Sequence, residues 1–188
     1  MIHLMKISYS AVWLSLRTLL LCVAAVVAVL TVVGCDIVSD ELPSYEETSI
    51  VNVGDNAPVF SIETIDGELV TVGGVRDAST LLILFSHTCP DCKNLLDALQ
   101  RIINSGVVPP RILAVSRGGS LEEIVAFREE NDYTFTMAAN ADRSIYSLYA
   151  TMYVPRCYVI DSEGVVRFVT FEYSEGDVDR LFAEAQKY

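Results

Sequence analysis

Apolar and polar residues alternate along Val59-Phe60-Ser61-Ile62-Glu63-Thr64, the period of a half-buried β-strand. Asp66-Gly67 supplies a tight turn, Glu68 to Val72 returns as a second strand, and Gly73-Gly74 closes a hairpin. Thr80 to Phe85 is a nearly continuous apolar run of strand length, which predicts a central strand covered on both faces. Beyond it Leu95, Leu96, Leu99, Ile102 and Ile103 recur at helical spacing as far as Gly106. Arg111 to Ser116 predicts another buried strand. Ser120, with Glu123 three residues on, is a capping box that opens a helix running to about Asn131. Tyr133 to Ala138 reads as a short strand and Asp142 to Tyr149 as a short helix or turn. Cys157 to Ile160 and Val165 to Phe171 are strands joined by a turn at Asp161-Ser162-Glu163-Gly164, and Ser174 is placed to cap a final helix. This alternation predicts an α/β sandwich with hairpins at both the beginning and the end of its sheet.

The N-terminal part follows a different pattern. Thr18 to Cys35 holds no charged residue and is preceded by Lys6 and Arg17, the polarity of an export signal. The run is long for the apolar core of such a signal and just long enough to span a bilayer. It ends in Val32-Val33-Gly34-Cys35, followed at once by acidic and polar residues. That ending resembles the lipobox of bacterial lipoproteins and implies lipidation of Cys35, with an uncleaved N-terminal anchor as the alternative. Cys22, inside the run, reads as a small hydrophobe. Either outcome places the remaining chain outside the cytoplasm, in the cell envelope and facing the periplasm. Residues 36–49 lack apolar periodicity and read as a flexible acidic tether to a domain over 50–188.

Charge narrows the partners. All 25 acidic residues follow the leader, against 11 of the 13 basic ones, so the exported part carries a net −14. Such a surface repels nucleic-acid phosphates and offers no basic patch to a membrane. It reads first as a solvated surface that keeps the domain soluble. Three cysteines lie in the domain, Cys89, Cys92 and Cys157. One close pair and a single thiol do not make a structural disulfide framework.

The close pair sits where the central strand gives way to the amphipathic helix, in Ser86-His87-Thr88-Cys89-Pro90-Asp91-Cys92. A cysteine at a helix N-terminus faces unpaired backbone N–H groups and the positive end of the helix dipole, which favour the thiolate. The thiolate is the nucleophile of disulfide exchange. Pro90 suits the first turn, where no N–H is needed. Cys89 is therefore assigned as the attacking thiol and Cys92 as the more buried, resolving one. A zinc site is the competing reading, but it needs a second ligand pair. Beyond Cys157 the chain offers only His3, in the leader, and His87. A purely structural disulfide is the other alternative, although such bridges usually close longer loops.

Gly54-Asp55-Asn56-Ala57-Pro58-Val59-Phe60, Asp66-Gly67 and Phe85 to Cys92 together resemble the redoxin and TlpA-type thiol–disulfide oxidoreductases of bacteria. Tyr153-Val154-Pro155, the strand Cys157 to Asp161, and Gly164 match the later segment of that family. The resemblance spans about Val51 to Tyr188. It implies a thioredoxin-like three-layer sandwich with a mixed central sheet and an added N-terminal hairpin. It also implies a cis Pro155 beside the two cysteines, with the backbone of Val154 pairing with the substrate chain. Three departures are visible. Thr88 stands where the family usually has Trp, and Ile83 and Leu95 stand where relatives often keep a proton-transferring acid. Asp91 is the nearest acid instead, and its charge opposes thiolate formation at Cys89. A protonated His87 acts in the opposite sense, so the two are candidate tuners of Cys89, or else solvated loop residues.

These observations lead to disulfide exchange on exported proteins, in the reducing direction, with an external thiol protein as electron donor and no organic cofactor. A peroxiredoxin-like peroxidase is the second expectation. Ser86 fits that family's pattern three residues before the peroxidatic Cys, but Leu82 stands where its Pro belongs. The third is a binding module without catalysis, holding a partner or Cu(I) on Cys89 and Cys92, with Cys157 or His87 as a further ligand. Cys157 is otherwise expected to be a buried strand thiol, and Arg156 to face solvent.

Overall fold

The computed structural model describes residues 42–188, so the leader, Cys35 and the first part of the expected tether lie outside the described residues. Pro43–Tyr188 form one unit. Its elements are β1 (Phe60–Glu63), β2 (Leu69–Val72), β3 (Thr80–Phe85), α1 (Pro90–Asn104), β4 (Arg111–Ser116), α2 (Leu121–Glu130), β5 (Thr136–Ala138), α3 (Tyr146–Tyr149), β6 (Arg156–Ile160), β7 (Val166–Phe171) and α4 (Asp177–Ala185). Among the described residues no helix is long and apolar enough to cross a membrane.

Five strands form a mixed sheet in the order β5-β4-β3-β6-β7. The helical connections α1 and α2 let β3, β4 and β5 run parallel, whereas the tight turn after Ile160 makes β7 antiparallel to β6. β3 lies at the centre with all six residues buried, which accounts for its unbroken apolar run. Its side chains alternate between two cores. Leu81, Ile83 and Phe85 join residues of α1, α2 and α4 on one face. Leu82 and Leu84 join Phe60, Val72 and α3 residues on the other. The layers are thus helices, sheet, and a thinner cover of hairpin and α3, as the resemblance implies.

Local chemistry sets the helix ends. Ser120 and Glu123 complete the expected capping box of α2, each side chain bonding the other's backbone N–H. At α4 the expectation fails. The chain reaches the helix through Gly176 at φ 86°, a left-handed conformation that suits glycine, and the helix begins there. The Ser174 N–H donates to the Asp177 carboxylate at 2.6 Å, so the bond runs opposite to a serine cap.

β1 and β2 form the expected added hairpin, as a separate sheet rather than the beginning of the main one, because their apolar residues turn toward Leu82 and Leu84 and cover the main sheet's face. Three more sequence expectations are revised. β5 has three residues rather than six; Tyr133 and Phe135 are buried in the core but lie outside the ladder. Pro43 to Ser49, expected to be the end of a flexible tether, forms a turn that packs on the domain. Ser49 bridges Ala150, and Ile50 N–H donates to the Tyr149 carbonyl at 2.9 Å. Arg156, expected in solvent, is fully buried, because β6 is hydrogen-bonded on both sides and covered on both faces.

Candidate functional site

The site forms where β3 ends. Phe85 is its last residue, and the chain passes through Ser86 to Thr88 into α1. Cys89 is the N-cap of α1, with extended φ −95° and ψ 119°, and Pro90 follows in the first turn. The Cys89 Sγ accepts the N–H of Cys92 at 3.4 Å, so the sulfur takes the place of a capping oxygen. On its other side the same sulfur lies 3.7 Å from the Val154 carbonyl oxygen. Cys89 is half-buried and Cys92 is fully buried behind it, and both are free thiols in this structure.

Cys92 packs with Ile83, Leu95 and Leu96 in the helix-side core. Burial pushes its thiol far above the ordinary value, while the Ser86 N–H, which reaches its Sγ at 3.4 Å, favours the thiolate. The two thiols thus differ in environment. One is at the surface on a helix N-terminus, the other is enclosed in hydrocarbon.

The loop opposite Cys89 carries the second half of the site. The Val154–Pro155 peptide bond is cis. Tyr153 at φ 67° and Glu172 at φ 60° are left-handed non-glycine residues beside it, and Glu172 N–H donates to the Pro155 carbonyl at 3.2 Å. Backbone of that kind costs about 1–3 kcal/mol per residue and persists only where neighbours hold it. One neighbour is Tyr45 of the Pro43–Ser49 turn. Its ring lies 4.7 Å from that of Tyr153 and 5.5 Å from that of Phe171. Burial, together with the nearby Glu172 carboxylate, pushes the Tyr45 hydroxyl up to about 12.

The structure therefore brings Cys89, Cys92, Val154 and Pro155 together. Asp91 is exposed in the first turn of α1. His87 is half-buried, 6.3 Å from the Phe127 ring and close against Gly119, and its Nδ1 is buried without a hydrogen-bond partner. Thr88, at the usual Trp place, is exposed and shares a 3.0 Å hydroxyl contact with Ser86. Cys157 lies in β6 opposite Ile83 and Thr170 and is fully buried, with its thiol raised to about 12 by that burial. Leu82 is buried on the hairpin side of the sheet, away from the helix-side core that holds Cys92. Among the described residues no three His, Cys, Asp or Glu side chains are close enough to share a metal ion.

Sequence reasoning missed Arg156 and the Tyr45 turn. Arg156 donates to the carbonyls of Met152 and Tyr45 and to the hydroxyls of Thr48 and Ser49. The available signal was positional: a charged residue opening an apolar strand two places before Tyr158 shares that strand's buried setting.

Comparison with known proteins matches residues 53–169 to the AhpC/TSA family. The chain is 25% identical over 120 residues to the thioredoxin-like protein YneN of Bacillus subtilis, covering 62% of this chain and 70% of that one. Its fold is similar to a thiol:disulfide interchange protein of the thioredoxin family from Chlorobium tepidum, with a TM-score of 0.59 and 17% identity, covering 71% of this chain and 97% of that one. It is also similar to a peroxiredoxin-like protein from Aquifex aeolicus, with a TM-score of 0.57 and 21% identity, covering 70% and 86%. At such identities the two structural likenesses establish the thioredoxin-like fold and leave the choice of chemistry to the site.

Proposed function

This chain belongs to the AhpC/TSA family, and we propose that it is an exported, membrane-anchored thiol–disulfide oxidoreductase that reduces disulfides of other extracytoplasmic proteins. The observation that carries the reading is the position of the Cys89 Sγ, at the N-cap of α1, between the Cys92 N–H and the Val154 carbonyl. The backbone N–H stabilises negative charge on that sulfur, and the carbonyl marks where a substrate backbone approaches.

The Cys89 thiolate attacks one sulfur of the partner's disulfide. A Cys89–partner S–S bond forms, the partner's S–S bond breaks, and the other partner sulfur leaves as a thiolate that takes up a proton. Cys92 then loses its proton and attacks the Cys89 Sγ. The Cys89–Cys92 bond forms and the second partner sulfur departs. Two electrons have passed to the partner, and a reduced thiol protein restores the dithiol. Support for the reducing direction is the acidic residue Asp91 in the first turn of α1, between the two cysteines, where a cation would instead favour the reduced form and so an oxidant. Anchorage is supported by the uncharged run Thr18 to Cys35 and its lipobox-like end.

The test is trapping. Cys92→Ser in the full chain is expected to hold partner proteins on Cys89 as mixed disulfides that dithiothreitol releases, and Cys89→Ser to hold none. Equal trapping by both variants, or none by either, would remove the mechanism. Family membership also favours a second reading, a thiol peroxidase. It predicts that the reduced chain consumes hydrogen peroxide faster than it reduces a protein disulfide, and that it still does so as Cys92→Ser.

A further inference from the structure

Arg156 is the largest fully buried side chain among the described residues, and no carboxylate bonds it. Its Nε and Nη2 donate to the Met152 carbonyl at 3.2 and 3.0 Å. Nη2 also donates to the Tyr45 carbonyl at 3.2 Å and the Thr48 hydroxyl at 2.6 Å, and Nη1 to the Ser49 hydroxyl at 2.6 Å. The guanidinium carbon lies 5.3 Å from the Tyr45 ring centre and 5.0 Å from that of Phe171. A buried cation is costly unless every donor is satisfied, and an apolar side chain would fill the same space in β6 without that cost. What the arginine does that an apolar residue cannot is join two segments. One is the Pro43–Ser49 turn. The other is the Met152 carbonyl, at the entrance to the Tyr153-Val154-Pro155 loop that faces Cys89.

The two segments meet again at the surface. The Tyr153 hydroxyl donates to the Pro43 carbonyl at 2.8 Å, and the Tyr45 and Tyr153 rings are packed together. Thr151 N–H donates to the Thr48 carbonyl at 2.9 Å. The left-handed Tyr153 is thus held from below by the arginine's grip on Met152 and from the side by the turn.

We propose that Arg156 is a positioning residue for substrate binding, and that the Pro43–Ser49 turn it clamps forms part of the surface that receives an extended polypeptide next to its disulfide. This rests on the exchange reading and deepens it. Small disulfides need only the Cys89 sulfur, whereas a polypeptide needs the Val154 backbone and the Tyr45–Tyr153 wall in register.

The experiment compares the full chain with its Arg156→Met, Arg156→Lys and Tyr45→Ala variants on two substrates: a disulfide-bonded polypeptide such as insulin, and a small aromatic disulfide. Arg156→Met is expected to raise KM for the polypeptide on the order of tenfold, about 1.4 kcal/mol, with kcat held. The ratio of polypeptide to small-disulfide kcat/KM should fall by the same factor. Arg156→Lys, which keeps the charge and some donors, should recover part of the loss. Tyr45→Ala should reproduce the rise in KM, and the Arg156→Met/Tyr45→Ala double variant should be no worse than the worse single, since both act through one turn. If Arg156→Met does not fold, Tyr45→Ala and Thr48→Val with Ser49→Ala carry the same comparison with the arginine in place. A KM unchanged in the folded variants, or an equal loss on both substrates, overturns the proposal. A wild-type chain that exchanges neither substrate overturns the exchange reading itself, and the inference with it.

Discussion

The enclosure of Cys92 makes a prediction about how the mixed disulfide is released. An ordinary cysteine thiol loses its proton near about 8.5, and burial raises Cys92 well above that. Relatives often place an acid near this thiol; here Ile83 and Leu95 occupy those positions, and both are core side chains in the cluster that holds Cys92. With Ile83 and Leu95 offering no group to take the proton, the resolving thiolate comes from the small fraction that ionises freely. Below its pKa that fraction grows tenfold per pH unit, so release should quicken by about a thousandfold between pH 6 and pH 9, with no levelling near the ordinary thiol range of about 8.5. The assay is a stopped-flow measurement on Cys89 carrying a nitrothiobenzoate group, following the coloured thiolate that Cys92 expels. The dependence of log rate on pH should have a slope close to one up to at least pH 9. A plateau below pH 8.5 would mean instead that Cys92 ionises as an exposed thiol does or that some group within the site takes its proton. A Leu95→Glu variant, if it folds, should bend the same profile at lower pH by supplying the missing base.

Three other outcomes follow from the same structure. Ser120→Ala breaks the capping box of α2 and should cost about 1 kcal/mol, a fall of roughly 2–4 °C in Tm, without changing the reactivity of Cys89. For Cys157 the folded pKa, raised to about 12 by burial, means that the fold favours the neutral thiol. Its contribution to stability is complete below about pH 9 and is lost as the pH rises through 12, so the decline in Tm between pH 9 and 11 should be shallower in Cys157→Ala than in the parent chain. At the N-terminus, the proposed lipidation of Cys35 predicts that metabolic labelling with palmitate marks the wild-type chain and leaves Cys35→Ser unlabelled and longer; an unlabelled, full-length wild type would favour the uncleaved anchor.

Much of the fold is legible because burial on both faces leaves a one-dimensional trace. β3 reads as an apolar run because both cores need it, and α1 reads as an amphipathic helix because one side meets the sheet and the other meets water. The paired cysteines are legible because their spacing and the strand before them are local. What was hidden depends on distant partners. Arg156 follows a loop proline, and only its place between β3 and β7 buries it. The polar, acidic composition of Pro43 to Ser49 suggests a solvated tether, yet its carbonyls and hydroxyls are the acceptors that a buried guanidinium requires. Tyr45 has no periodic neighbours to mark it, and its ring finds Tyr153 more than a hundred residues away. The end of β5 shows the same limit, since Tyr133 and Phe135 are as apolar as strand residues but fill the core from outside the ladder.

Disulfide exchange in the reducing direction is tested most directly by the equilibrium reduction potential of the Cys89–Cys92 pair, measured against a glutathione or dithiothreitol buffer. A reductant should show a single reversible two-electron couple near or below about −270 mV, the thioredoxin range. A couple near about −120 mV, the range of a strong oxidant, would contradict the reducing direction, and the absence of any reversible couple would contradict the exchange mechanism itself.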